Sequence, residues 1–346
     1  MDNNVVRKGI VTFGEVMLRL APPEHERFLQ ASHFNIQYGG GEANVAVSLA
    51  QFGHDVTFVS RVPDNPLGQA AINMVRGYGV DTRYILCGGS RLGVYFIEHG
   101  ASLRSSKVIY DRALSAVTEL QTGMLDWQEI FKAKEWFHIT GITPALSDSC
   151  AEVSIEAIRA AKEFGLTTSC DLNYRKKLWS KSEARRVISK IVENVDVVIA
   201  NEEDAADIFG IKAKQTNVVN GEISAPHYET VAKYLMKICD AKLVAITLRE
   251  SLSASDNRWS AILYDGQSYY HSRKYSLHLI DRVGGGDSFG AGLIHGIISK
   301  WDNQKALDFA VAASGLKQTI PGDVNIVTEA EVIQVVDGNI SGRVQR

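Results

Sequence analysis

Much is scarce or missing in this chain of 346 residues, and each absence removes a class of function. Neither sign of charge dominates: 37 Lys and Arg against 40 Asp and Glu leave a net charge of −3. That argues against a disordered polyelectrolyte and against a duplex-binding surface built on strong positive charge. No apolar run approaches the ~18 residues that cross a bilayer. The stretch from Met1 to Phe13 carries Asp2 and lacks the apolar core of a secretory signal. Cysteine occurs four times, at 87, 150, 170 and 239, with no CxxC pair, so free buried thiols are expected rather than a disulfide framework or zinc cluster. The expectation is a reduced, cytoplasmic protein with neither nucleic acid nor membrane as partner.

Several nucleotide and metal motifs are missing too. There is no Gly-Lys dipeptide and hence no Walker A loop, no strict GxGxxG, and no HExxH. Internal repeats, low-complexity segments and Pro/Gly/Ser-rich linkers are also absent.

What is present is a core and an alternation. Hydrophobic residues make up 45% of the chain, enough for a large buried interior. Strands are predicted at Gly9–Val16, Asp55–Val62, about 82–87, 135–140, 166–172, 195–200 and 242–248. Helices fall between them, at about 43–50, 66–77, 150–164, 181–194, 202–209 and 226–239. Such alternation predicts an α/β fold with a mostly parallel sheet covered on both faces. Between Leu92 and Arg112 the rhythm changes to two β-rich pieces, Gly93–Glu98 and Lys107–Arg112, with no helix between them. They read as part of a small antiparallel sheet, to which 16–37 adds strands. A further hairpin is expected at Arg258–Tyr264 and Gln267–Tyr275 around Asp265-Gly266. Helices are predicted near 287–300, 303–318 and 328–336. One domain, 1–346, carrying a β lid from about 16–37 and 92–112, accounts for this better than two equal domains.

The segment Asp281 to Gly292 (DRVGGGDSFGAG) is the strongest chemical signal. Three consecutive glycines let a backbone approach a ligand, and the helix they open directs free N–H groups and a positive dipole end at it. A carboxylate there, Asp287, can take the proton from a hydroxyl attacking a phosphorus. The plain alternative is a tight turn with Asp287 as helix cap. The same stretch fits GxSxG, which would make Ser288 a hydrolase nucleophile. Only His295 follows it, seven residues along the same helix, where it cannot fold back onto the hydroxyl. Glycines at 290, 292 and 296 each cost a helix roughly 1 kcal/mol against Ala, and make sense if that helix packs closely on another.

Together with Gly39-Gly40-Gly41-Glu42-Ala43-Asn44-Val45-Ala46, about 240 residues upstream, this segment resembles the paired signatures of the ribokinase-like (PfkB) carbohydrate kinases, the second usually written DxxGAGD. The likeness runs from about Gly9 to Val336. It implies a ribokinase-like α/β domain, ATP and Mg²⁺, and phosphorylation of a sugar hydroxyl beneath the lid. By that resemblance Asp287 is the catalytic base, and the N–H groups of Gly284, Gly285 and Gly286 form the anion hole. Gly40 and Asn44 contact the sugar. Asn173, Asn201, Thr247, Arg249, Gly284 and Gly286 serve the nucleotide, and Asn201 and Asp204 place Mg²⁺ through water. Three departures stand out. Gly285 replaces the usual Ala and is expected to keep the anion hole open. Asp204 ends an NxxE-like motif one methylene short. Arg249-Glu250-Ser251-Leu252 replaces a glycine-rich TLGxxG stretch. The resemblance also leaves room for a monovalent cation near Asp281 and Val283, and for a homodimer through an exposed lid edge.

The substrate is expected to be anionic. Tyr95, Tyr110-Asp111-Arg112, Asp171 to Arg175 (DLNYR) and Ile320-Pro321-Gly322-Asp323 resemble the substrate motifs of the family's 2-keto-3-deoxygluconate kinase branch, with Tyr95, Tyr110, Arg112, Arg175 and Asp323 at the sugar acid. Guanidinium groups suit a carboxylate. Arg19 stands where many relatives place a hydroxyl-binding Asp. Each residue has a plainer alternative: Arg112 and Arg175 as solvated charges or, for Arg175 beside Lys176 and Lys177, a phosphate contact; Tyr95 and Tyr110 as sheet packing; Asp323 as a turn residue. A fructokinase or other sugar kinase, or a non-catalytic sugar sensor on the same fold, are the competing readings.

Overall fold

Strands of the main sheet carry unbroken apolar runs such as Ile10-Val11 and Val197-Val198-Ile199, and the structure shows why. Successive residues enter different cores: Val11, Phe13, Phe137, Ile139 and Val198 lie on one side of the sheet, Ile10, Trp136, Val197 and Ile199 on the other. With both faces covered by helices, both register positions are buried, and the polar exceptions are hydrogen-bonded, as where Trp136 Nε1 donates to Ser169 Oγ at 2.8 Å. The computed structural model describes residues 9–211 and 225–339.

The strands in chain order are β1 (Gly9–Phe13), β2 (Met17–Ala21), β3 (Asn35–Gly39), β4 (Val56–Val62), β5 (Ile85–Cys87), β6 (Gly93–Glu98), β7 (Lys107–Asp111), β8 (Lys134–Thr140), β9 (Thr167–Asp171), β10 (Val197–Ala200), β11 (Leu243–Ser251), β12 (Asp256–Tyr264), β13 (Tyr269–His271) and β14 (Tyr275–His278). The large sheet runs β13-β12-β11-β10-β9-β8-β1-β4-β5, with β14 also paired to β12. It is parallel from β11 to β5 and antiparallel at the β12 edge. The lid is a separate four-stranded sheet, β3-β2-β6-β7. Its edge strands expose Ile36 and Ile109. No described helix is long and apolar enough to cross a membrane, and all four cysteines are free.

Two expected strands needed revision. Gly9–Val16 reads as one apolar run, but β1 stops at Phe13 and the chain crosses to the lid, where β2 begins. Gln267–Tyr275 is split into β13 and β14, because the Arg273 N–H leaves the ladder for Asp308 Oδ1 at 3.2 Å. Short helical turns at Ala116–Glu119, Trp127–Phe131 and Thr143–Ala145 were not anticipated.

The helix Gly285–Ile298 lies against the helix Asn303–Lys317 at very close range. A Cβ on Gly292 would stand 2.8 Å from Ala310 Cα, and one on Gly296 2.6 Å from Ala306 Cβ. Gly292 and Gly296 therefore serve backbone proximity, and Ser314 Oγ, donating to the Gly285 carbonyl at 2.7 Å, ties the first turn to the same neighbouring helix.

Candidate active site

The carboxyl ends of β1, β8, β9, β10 and β11 meet the lid around one cleft, at the place where strand order turns from β1 to β8, the usual ligand position in such sheets. Gly40, Asn44, Tyr95, Tyr110, Arg112, Asn173, Arg175, Asn201, Thr247, Arg249, Gly284, Gly286, Asp287 and Asp323 all line it. Of the residues expected in a catalytic, substrate, nucleotide or metal role, Gly285 and Asp204 do not.

The floor is the first turn of the helix Gly285–Ile298. Gly284 precedes it with φ 79°, and a Cβ there would collide with the Asp323 carbonyl at 1.9 Å, so only glycine fits. A Cβ on Gly286 would meet nothing within 4 Å, whereas one on Gly285 would press on Gln318 Cγ at 3.1 Å. This corrects the expectation for Gly285: its missing side chain relieves the Gln318 contact and has no bearing on how open the cleft is. Its N–H also turns back toward the Arg282 carbonyl at 3.4 Å. Gly286 and Asp287 hold the next positions of the first turn, where N–H groups have no helical acceptor.

Asp287 stands beside these donors. Its Oδ2 accepts a hydrogen bond from Asn44 Nδ2 at 2.7 Å. Burial pushes the carboxyl up to about 6, while the Asn44 contact opposes the rise. Asn44, expected at the sugar, is thus also the group that orients Asp287. Its own Oδ1 accepts from the Gly40 N–H at 3.3 Å. The hydrolase alternative fails: Ser288 is fully buried and accepts from Asn325 Nδ2 at 2.9 Å, while His295 Nδ1 is engaged with His54 Nε2 at 2.8 Å.

On the lid side the arginines divide. Arg112 pairs with Glu15 Oε2, its guanidinium carbon lies 5.5 Å from the Tyr110 ring centre, and its buried Nε has no partner. It is therefore not the solvated charge of the plainer reading. Arg175 is exposed at the cleft edge. Arg19 does not reach the cleft: it is 2% exposed and bonds Asp281 Oδ2 and Asp323 Oδ1, each at 2.5 Å. It ties the lid strand β2 to the core. Asp323 also accepts from the Tyr95 hydroxyl at 2.5 Å, so two residues assigned separately to the sugar meet in one hydrogen bond.

The nucleotide side differs from expectation at Asp204. Its Oδ1 accepts from the Tyr174 N–H at 3.0 Å and its Oδ2 from the Asn201 N–H at 2.9 Å. Asn201 Oδ1 in turn accepts from the Glu203 and Asp204 N–H groups. This is a mutual cap between two strand ends, and Asp204 is turned away from the cleft. No group of three His, Cys, Asp or Glu that could hold a metal occurs among the described residues. Asn173 sits at φ 37°, a left-handed value Asn tolerates. Thr247 Oγ1 donates to the Ala200 carbonyl at 3.4 Å, and Arg249 pairs with Glu202 at 3.3 Å.

Four cleft acids carry no individual role in the sequence reading: Glu15, Glu42, Asp171 and Glu202. Glu42 is 1% exposed and pushed up to about 7 by burial, although Thr140 N–H, Thr140 Oγ1 and Thr143 Oγ1 all donate to it. Burial likewise raises Asp171, with Asp204 and Asp287 adding to the rise. Glu42 lies inside the first glycine signature and could have been weighed there. Asp171 opens the DLNYR run. Nothing local marks Glu15 as the partner of a residue 97 positions away.

Comparison with known proteins bears on this geometry. Residues 7–329 match the profile described as pfkB family carbohydrate kinase. A 2-dehydro-3-deoxygalactonokinase of Haloferax volcanii is 34% identical over 333 residues, 96% of this chain and 98% of that protein. A 2-dehydro-3-deoxygluconokinase of Thermoproteus tenax is 27% identical over 318 residues, 91% and 89% of the two chains. The crystal structure of a 2-dehydro-3-deoxygluconokinase from Thermotoga maritima superposes with a TM-score of 0.92 at 46% identity, over 95% of this chain and 99% of that one.

Proposed function

The chain belongs to the pfkB family of carbohydrate kinases, and we propose that it moves the terminal phosphoryl group of ATP to the C6 hydroxyl of a 2-keto-3-deoxy sugar acid of the gluconate type, giving the 6-phosphate. The observation that carries this reading is the Asp287 carboxyl, half-buried beside unpaired first-turn N–H groups and oriented by Asn44. A base raised to about 6 is ionised at neutral pH yet basic enough to take a proton from an alcohol as it attacks. The Gly286 side of the turn, open to the cleft and at the positive end of a helix, suits the charge that develops on the transferring group.

The names of the relatives support the acid sugar, and so do the guanidinium groups of Arg112 and Arg175 on the lid side. Arg112 can pair with a substrate carboxylate or 2-keto end only by sharing or leaving Glu15. Tyr95, Tyr110 and Asp323 form the wall against which the carbon chain would lie. On the nucleotide side Asn173, Asn201, Thr247 and Arg249 line the cleft. Mg²⁺, held by ATP phosphates and reached by the protein through water, would neutralise charge between them. The carboxylates at hand for such water contacts are Asp171 and Glu202, with Asp204 confined to bracing the Asn201 and Tyr174 loops.

A coupled ADP assay with 2-keto-3-deoxygluconate, its galactonate epimer, fructose, ribose and adenosine tests the substrate. The expected result is turnover of the sugar acids with the neutral sugars far behind, and a preference for fructose would overturn the assignment. Arg112→Ala should raise KM for the acid by roughly 10- to 100-fold, as for loss of a charge-assisted contact, with little change for a neutral sugar.

A further inference from the structure

The resemblance leaves a monovalent cation near Asp281 and Val283 as an expectation, and the residues present there leave no room to hold one. That neighbourhood is filled from within. Lys317, at the end of the helix Asn303–Lys317, has no exposed surface. Its Nζ donates to the Gly322 carbonyl at 2.5 Å, to the Asp281 carbonyl at 3.2 Å and to the Ile320 carbonyl at 3.4 Å. Three carbonyl acceptors match the three N–H bonds of an ammonium, whereas a neutral amine has only two. Among the described residues no carboxylate lies within ion-pairing distance of Nζ, so its direct contacts are backbone carbonyls, as a bare monovalent cation's would be, with Asp281, Asp323 and Asp287 supplying negative charge nearby. The stem runs directly under the floor of the cleft: Lys317 Cε would stand 3.2 Å from a Cβ on Gly284. Burial lowers the lysine from its ordinary value, and the nearby Asp281 and Asp323 charges oppose that shift.

We propose that the Lys317 ammonium takes the place of a bound monovalent cation in this chain. It clamps the segment entering the glycine turn (Asp281) to the loop after the helix Asn303–Lys317 (Ile320 to Gly322), and so sets the position of Gly284 and the first-turn N–H groups. Lys317 is a positioning residue. The kinase accordingly needs no K⁺ or Na⁺. Its activity arm rests on the phosphoryl-transfer reading, while the melting arm needs no substrate and fails or succeeds independently.

The test compares wild type with Lys317→Ala in buffers whose sole monovalent cation is K⁺, Na⁺ or tetramethylammonium, the last too large for a carbonyl cradle. Wild-type turnover should agree within about 2-fold across the three, and its melting temperature should not respond to the exchange. Lys317→Ala should lose about 10-fold or more in kcat in tetramethylammonium, with K⁺ restoring much of it. Its melting temperature should rise with K⁺ and not with tetramethylammonium. Strong activation of wild type by K⁺ overturns the proposal. So does a Lys317→Ala protein that works unchanged without K⁺, or one that melts lower and gains nothing from K⁺, since the lysine would then be an ordinary structural tie. Should the alanine variant fail to fold, Lys317→Met keeps a stem of similar length without the charge, and the wild-type cation exchange still decides.

Discussion

Two helices begin at the cleft in almost the same way. Gly41–Gln51 and Gly285–Ile298 each follow glycine, each lacks a side-chain cap, and each sets an acid in its first turn, Glu42 and Asp287 respectively. Both acids are raised by burial, to about 7 and about 6. What separates them is the company they keep. Glu42 receives three hydrogen bonds from Thr140 and Thr143. Asp287 receives one side-chain hydrogen bond, from Asn44 of the opposite helix, although both acids line the cleft. Equal local construction therefore yields one acid locked into structure and one with capacity left for chemistry. The number of surrounding donors decides which is which.

The sharpest way to break this comparison is Asp287→Asn. Removing a general base is expected to lower kcat by about 10²–10⁴-fold, with folding and sugar binding retained. Melting temperature should hold or rise, because a partly desolvated charge is gone. Near-normal turnover would remove Asp287 from the mechanism.

A smaller effect is expected from Asn44→Ala. Wild-type turnover should decline as pH falls through about 6, where the base becomes protonated. The Asn44 hydrogen bond favours the ionised carboxyl, so its loss should move that limb to higher pH and lower the rate at pH 6 by about 10-fold, with a smaller loss at pH 8. A pH–rate profile that merely drops without shifting would assign Asn44 to the substrate alone.

The mildest test falls on Glu42. Its value in the fold, about 7, lies above the usual 4.5, so the folded protein holds that proton more tightly than the unfolded chain. Stability is thus lost as pH rises from about 4.5 through 7, by up to roughly 3 kcal/mol. Glu42→Gln keeps the acceptor for the threonines without the charge. Its melting temperature should match wild type near pH 4, pull ahead between pH 4.5 and 7, and keep a constant lead above that. A gap independent of pH would mean that Glu42 carries no ionisation penalty.

The features legible in the chain are those whose cause is local. Glycines at 284–286 announce a close backbone approach, and the strand–helix rhythm announces a covered parallel sheet. The apolar run of β10, Val197-Val198-Ile199-Ala200, carries the same message. The hidden features depend on partners far apart in sequence. Asn44 looked like a sugar ligand because its acceptor lies 243 positions away. Arg112 gave no hint of Glu15. Arg19 was read as a mark of an anionic substrate, yet two carboxylates from the far end of the chain absorb it. The boundary between β1 and β2 was missed for a related reason: hydrophobicity does not change where the chain passes from core to lid, since both ends are buried. Asp204 shows the converse, a motif position expected near the metal whose carboxylate accepts two backbone N–H groups.

The glycine seam between the helices Gly285–Ile298 and Asn303–Lys317 has a practical consequence for redesign. With Gly292 and Gly296 set against Ala310 and Ala306, a single added methyl would wedge the pair apart and carry the glycine turn at the cleft floor away from the lid. Efforts to retune which sugar is accepted can alter lid residues freely, but they should treat that seam as the fixed datum from which every acceptor position is measured.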